Sequence, residues 1–294
     1  MSETHILEHF RDAAADFDVI FCDIWGVVHN GEHYFSEATD ALTRFRAMGG
    51  AVVLITNAPR PGVPIRAQLD EFGVPHAAYD ALITSGDVTV GLIAHMRGAK
   101  IHHIGPDRDL TLYDEVLRQT GYRPQLVALA EAGYVVCSGL FDDETETPDN
   151  YDATLRAMRE RNLVMICANP DLIVHRGETL LYCAGALGEN YERLGGEVRY
   201  AGKPHAPIYR AALELAKTAG ARQAQPRVLA VGDAIATDMR GAIRQKISGL
   251  LVTGGIHRNE LHPEGGGPLN AARLGGFLAR HDETPHLAMS ALRW

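Results

Sequence analysis

At 294 residues, 46% of them hydrophobic and 22% charged, the chain has an ordinary globular composition and is long enough for two domains. A formal charge of −9 at pH 7 offers no electrostatic footprint for nucleic acid or an anionic membrane. Any anionic ligand must therefore be held by a local device, and only four of the 28 basic residues are lysines: Lys100, Lys203, Lys217 and Lys246.

Cys22, Cys137, Cys167 and Cys183 lie far apart in apolar segments, which reads as reduced core residues rather than a disulfide or zinc framework. No run approaches the roughly 20 apolar residues of a membrane span. The first residues lack the basic flank and apolar run of a signal peptide, so the expectation is a cytoplasmic protein.

Ile6, Leu7 and Phe10 at helical spacing predict a short helix over 5–15. The uncharged apolar run of residues 19–22, between Asp18 and Asp23, predicts a buried parallel strand. It delivers Asp23 to its carboxyl end, and Gly26 allows a sharp turn just after. In an open α/β sheet that crevice is where ligands bind, although most strand-end aspartates merely cap a turn. His29 and His33 share H-x-x-x-H spacing, but the intervening Asn30-Gly31 predicts a turn rather than the common helix face a zinc pair needs. Residues 36–48 read as a helix with Ser36 as N-cap, broken by Gly49-Gly50.

A second buried strand, 51–55, ends in Thr56-Asn57. A hydroxyl and an amide there can hold an oxyanion without adding charge; a capping threonine is the plainer alternative. A helix over 63–72, a strand over 81–85 and a helix starting near 86–87 follow. Beyond residue 88 come strands at 101–104, 134–138 and 163–168, and a helix over 147–161 led by Thr147-Pro148-Asp149. They predict a second α/β unit inserted into the first. Its third strand ends in Asn169-Pro170-Asp171, either a substrate-facing element or a type I turn.

A helix over 187–194 is expected to return the chain to the first domain. Lys203, between Gly202 and Pro204 and just before a helix over 207–218, is placed to reach an anion, or is simply a solvated charge. The strand 228–231 ends in Gly232-Asp233, with Thr237-Asp238 following. Two carboxylates five residues apart, after a strand and before a helix, suit a divalent-metal site completed from another strand end. The strand 249–252 and Gly254-Gly255 close the core, and residues 256–294 carry no functional reading.

In order, a strand-end Asp23, a strand-end Thr56-Asn57, Gly202-Lys203-Pro204 before a helix and Gly232-Asp233…Asp238 resemble the haloacid dehalogenase-like hydrolases. Asp23-Ile24-x-Gly26-Val27 and Asn169-Pro170-Asp171 add to the similarity, which runs from Phe21 to about Gly255. The class resembled has a large α/β cap between its second and third motifs, as in p-nitrophenyl-, nucleotide- and sugar-phosphatase-like members. The resemblance implies a Rossmann-like parallel α/β core over 1–87 and 189–294 and a cap over 88–188. It also implies Asp23 as nucleophile and Mg²⁺ on Asp23, the Trp25 backbone carbonyl and Asp233, supported by Asp238. Thr56, Asn57 and Lys203 would bind and neutralise phosphate, Asn169 and Asp171 would face substrate, and the cap could mediate a homodimer. The expected partner is a small phosphorylated substrate, with no nucleic acid and no membrane.

One position departs from that pattern. Phosphatases of the superfamily normally carry a second aspartate two residues after the nucleophile, as general acid and base; here it is Trp25, whose indole cannot shuttle a proton. Loss of general acid–base help costs roughly 10²–10⁴ in rate. Three readings stay open. The chain is a phosphatase with an acidic leaving group, or with a substitute acid such as His29. Alternatively it is a different hydrolase: dehalogenase-like, which would not need the Asp233…Asp238 pair, or phosphonate-cleaving, for which the cap offers only Lys100. In the third reading it binds a phosphorylated metabolite without turning it over.

Overall fold

The computed structural model describes residues 4–176, 179–221, 223–262 and 269–294; the Gly265-Gly266-Gly267 run lies outside them. Its strands are, in chain order, β1 (His5–Ile6), β2 (Val19–Cys22), β3 (Ala51–Thr56), β4 (Ala81–Thr84), β5 (Ile101–Ile104), β6 (Tyr134–Cys137) and β7 (Val164–Cys167). They continue as β8 (Ile173–Arg176), β9 (Thr179–Tyr182), β10 (Glu197–Tyr200), β11 (Val228–Gly232), β12 (Ser248–Val252) and β13 (Leu287–Met289). The chain divides into two compact units. One runs to Thr56 and adds Arg66–Ile83 and Tyr209–Trp294; the other comprises Asn57–Ile65 and Thr84–Ile208.

The first unit is built on the sheet β1-β13-β12-β11-β2-β3-β4. β2 lies between β3 and β11, parallel to both, with Val19–Cys22 in register with Ala51–Leu54 on one side and Val228–Val231 on the other. All four β2 residues are buried, as a strand covered on both faces requires, which is why its sequence is continuously apolar rather than alternating. The chain leaves β2 towards β3 and later returns to β11 on the opposite side. That reversal opens a crevice outside the carboxyl ends of these strands.

Two local expectations are corrected. His5–Ile6 is a strand, not helix: it pairs in parallel with β13, and only Arg11–Ala14 is helical. The apolar spacing reflected burial of Phe10 against Phe45 and Trp294, and no local residue signals a partner strand some 280 residues away. Ser36 is the first residue of the helix Ser36–Ala47; Phe35 holds the cap position in extended backbone, with no side-chain cap bond.

The second unit carries the parallel sheet β10-β7-β6-β5 and an antiparallel β8–β9 hairpin. Val90, Ile93, Leu112, Val116 and Tyr134 are buried in one apolar cluster, and Leu140, Leu155, Met158, Leu187 and Tyr191 in another. The helix expected over 147–161 begins as a 3₁₀ turn, Pro148–Tyr151, and continues as Asp152–Glu160; Asn150 Oδ1 accepts the Thr147 N–H at 2.7 Å. The helix Ala184–Arg193 packs Leu187 and Tyr191 into this unit and leads to β10, which pairs with β7. The helix Thr111–Thr120, the β8–β9 hairpin and the edge strand β10 were not anticipated.

Candidate active site

The β2 ladder continues one residue past the strand: the Asp23 N–H donates to Val231 O at 2.8 Å. Asp23 Oδ1 accepts the N–H of Ile24 at 2.7 Å, so the carboxylate is folded back over the start of the following turn. Asp233 lies just beyond the end of β11, and Asp238 lies in the single π-turn Ile235–Met239. All three are buried, at 8%, 5% and 2% exposure, and each brings one carboxylate oxygen within 4.8 Å of the others. Three buried carboxylates that close repel one another unless protons or a cation neutralise them. An all-oxygen donor set of this kind suits a hard divalent cation.

Three glycines make that packing possible. A Cβ on Gly26 would lie 2.0 Å from Asp233 Oδ2, one on Gly255 2.1 Å from the same atom, and one on Gly232 2.0 Å from Asp238 Cγ. Gly26 also has φ of +78°, which an L side chain adopts only with strain. Backbone N–H groups complete the cradle: Ile256 donates to Asp233 Oδ2 at 2.8 Å and Ala234 to Asp238 Oδ2 at 3.2 Å. Ile256 and His257, whose Nε2 accepts the Ile235 N–H at 3.4 Å, were missed in the sequence, and Gly255 was read only as closing the core.

After Asp23 the chain closes a tight loop, with Val28 and His29 N–H donating to Ile24 O and Gly26 N–H to His29 O. The Trp25 indole is 41% exposed, lies over Gly31 and meets His29 edge-on, with ring centroids 5.2 Å apart. His29 is buried between Trp25 and Phe72, and its Nδ1 accepts the Gly31 N–H at 3.0 Å. Its proton is therefore on Nε2. Burial lowers its pKa to about 4, so the ring is neutral at physiological pH.

A second constellation lies within the other unit. Asn57 Oδ1 accepts the Lys203 N–H at 2.7 Å, while Asn57 Nδ2 donates to Lys203 O at 3.0 Å and to Asp171 Oδ1 at 2.8 Å. Asn169 Oδ1 accepts the Asp171 N–H at 3.1 Å, closing an Asx turn. Asn57, Asn169 and Lys203 are all buried. Of the residues singled out in the sequence, Asp23, Asp233 and Asp238 thus come together in one unit, and Asn57, Asn169, Asp171 and Lys203 in the other. Thr56 is the last residue of β3.

A family model described as haloacid dehalogenase-like hydrolase matches residues 20–123, and a related hydrolase-like model of the same superfamily matches 200–271. The solved structure of a haloacid dehalogenase-like hydrolase from Brucella suis 1330 is 43% identical, covering 97% of this chain and 99% of that one with a TM-score of 0.82. The chain belongs to the haloacid dehalogenase-like hydrolase family. Comparison with curated proteins gives no match. The p-nitrophenyl phosphatase of Archaeoglobus fulgidus shares the fold at 22% identity, with 94% of this chain and 96% of that one covered and a TM-score of 0.69. A glycerol phosphate phosphatase of Mycobacterium tuberculosis, solved in complex with magnesium, shares it at 22% identity, 85% and 72% coverage and a TM-score of 0.62.

Among the described residues of this haloacid dehalogenase-like hydrolase, a further buried carboxyl lies in the second unit. Asp109 is 2% exposed, and desolvation raises its pKa against the opposing effects of the Ser138 hydroxyl and the Arg108 and Arg60 guanidiniums. The sequence signal was the Asp107-Arg108-Asp109 string after β5, which was passed over. Among the described residues no helix is long and apolar enough to cross a membrane.

Proposed function

We propose that the chain is a metal-dependent phosphatase of a small phosphorylated metabolite. The observation that carries the reading is the buried Asp23–Asp233–Asp238 cluster at the strand-order reversal, with Asp23 just past the end of β2. A carboxylate oxygen of Asp23 attacks phosphorus, the bond to the leaving oxygen breaks, and water hydrolyses the resulting aspartyl-phosphate. Asp23, the Trp25 carbonyl and Asp233, with Asp238 behind them, would hold Mg²⁺; when bound, the ion neutralises charge on the phosphoryl group. The fold-related phosphatase solved with magnesium supports that choice of ion. Thr56 binds a phosphoryl oxygen, and Lys203 balances charge on nucleophile and phosphate. The unit expected over 88–188, which in the structure runs on through β10, acts as the cap that excludes water and selects the leaving group, and the enzyme works in the cytoplasm.

With Trp25 in place of the usual acid, the leaving oxygen needs another proton source or none. His29 is a poor candidate: its ring is neutral, with Nδ1 occupied by a backbone N–H, and a neutral imidazole does not give up its remaining proton readily. The better reading is an acidic leaving group, such as an aryl or acyl phosphate. The test is hydrolysis of p-nitrophenyl phosphate with magnesium, with EDTA and with Asp23→Asn. Turnover that needs the metal and is lost in the variant supports the reading; turnover retained by Asp23→Asn removes the nucleophile assignment. Trp25 also favours a second reading, a phosphometabolite binder, for which phosphate binding without turnover would speak.

A further inference from the structure

We propose that Asn57 is a positioning residue for Lys203, held in orientation by Asp171, rather than a direct phosphate ligand. The inference rests on the reading above in which Lys203 serves the phosphate. One amide engages both backbone groups of Lys203, taking its N–H at 2.7 Å and giving a proton to its carbonyl at 3.0 Å. The second amide hydrogen goes to Asp171 Oδ1 at 2.8 Å. Both donors of Asn57 are then used, and a single acceptor lone pair remains for anything else. A carboxylate partner accepts only, so Asp171 also fixes which end of the amide is nitrogen and therefore which end meets the Lys203 N–H.

The neighbouring backbone leaves no play. A Cβ on Gly202 would lie 2.3 Å from Asn57 Oδ1, 2.8 Å from Pro170 Cδ and 2.9 Å from Ser85 Oγ. Gly202 is thus the residue that lets the Lys203 segment approach the amide. Asn169 Oδ1 in turn closes the turn that presents Asp171. The Thr56-Asn57, Asn169-Pro170-Asp171 and Gly202-Lys203-Pro204 strings, separate in the chain, form one support whose product is the location of the Lys203 backbone. Such a support matters for rate because an error of about 1 Å in a positioned group can cost about a hundredfold.

The experiment is a double-mutant cycle on the full chain with Asn57→Ala, Lys203→Ala and both together, read as kcat and KM on p-nitrophenyl phosphate and as affinity for inorganic phosphate. Thermal unfolding checks that each variant is folded. If Asn57 acts through Lys203, Asn57→Ala lowers kcat by roughly tenfold to a hundredfold, and adding it to Lys203→Ala changes nothing further. Losses that multiply overturn the proposal and leave Lys203 its role. If Lys203→Ala keeps the wild-type rate and phosphate affinity, the assignment of Lys203 fails and the clamp serves no lysine of the site. Should Asn57→Ala not fold, Asp171→Ala replaces it in the same cycle, since it removes one of the three bonds and carries the same expectation of non-additivity.

Discussion

The glycine cradle around Asp233 makes a sharp prediction. Gly26→Ala imposes two separable penalties. At φ of +78° an alanine carries the left-handed cost of about 1–2 kcal/mol. Its Cβ would also lie 2.0 Å from Asp233 Oδ2, which no side chain tolerates, so the Asp233 carboxylate must move. Gly49→Ala is the control: its φ is +94°, and nothing lies within 4 Å of its Cβ. It should lose only the left-handed share of stability while leaving the acidic cluster intact. Disturbing the support of a metal ligand typically costs 10–100-fold in affinity, about 1.4–2.7 kcal/mol. Calorimetric titration with Mg²⁺ should therefore show that loss in Gly26→Ala and none in Gly49→Ala, with a drop in Tm for both that is larger in Gly26→Ala. Equal metal affinity in the two variants would refute the argument that Asp233 is held against Gly26 in order to bind a cation.

Across a series of phosphate esters, log kcat/KM should rise steeply as the leaving group becomes more acidic, and a flat dependence would mean that another group supplies the proton. His29→Gln, assayed on an alkyl phosphate, should leave kcat within about twofold of the original, since general acid help worth 10²–10⁴ cannot come from a ring that stays neutral; a loss of that size would put His29 in the mechanism. His103, half-buried with its Nδ1 2.9 Å from Tyr113 Oη, has its pKa lowered to about 4 by desolvation. Between about pH 6.5 and 4 the unfolded chain binds a proton at this position that the native state does not. Stability is therefore complete above pH 6.5 and falls as pH drops through that window. Urea midpoints at pH 7.5 and 4.5 should converge in His103→Gln relative to the unmodified chain, and an unchanged gap would refute the assignment.

How much of this could be read from residues alone depended on the range of the interaction. β2, β3, β11 and β12 were legible because strands buried on both faces must be apolar throughout, and their ends were marked by Asp23, Thr56-Asn57 and Gly232-Asp233. β1 was not, since two residues identify a strand only through β13 at the other end of the chain. β10 was equally silent: Glu197–Tyr200 alternates exposed and half-buried residues at a sheet edge and has little apolar signal. At the site, side-chain identity announced Asp23, Asp233 and Asp238, but Gly255 and the Ile256 N–H act through backbone geometry, which composition does not encode. Asn57 and Asp171 were noticed as polar strand-end residues, yet nothing in their spacing revealed that they bond to each other 114 residues apart.

Trp25 joins the chemistry to the specificity. A missing general acid leaves about 2.7–5.5 kcal/mol of barrier to be supplied by something else or forfeited. The loop around Trp25 does not offer a replacement: the indole lies over Gly31, His29 is neutral and engaged by a backbone N–H, and the Asp23 carboxylate accepts from Ile24. What the site does retain is the acidic cluster and its cradle, which would hold a divalent cation to neutralise the phosphoryl group but give no proton to a departing oxygen. On the proposed function such a site would discriminate by leaving-group acidity, because the substrate itself would have to provide what Trp25 cannot. The substitution Trp25→Asp tests that view directly. If the missing proton is the only deficit, it should raise kcat on alkyl phosphates by up to about 10²-fold or more while changing aryl phosphates little. A uniform change across both classes would mean that Trp25 acts on binding rather than on proton transfer.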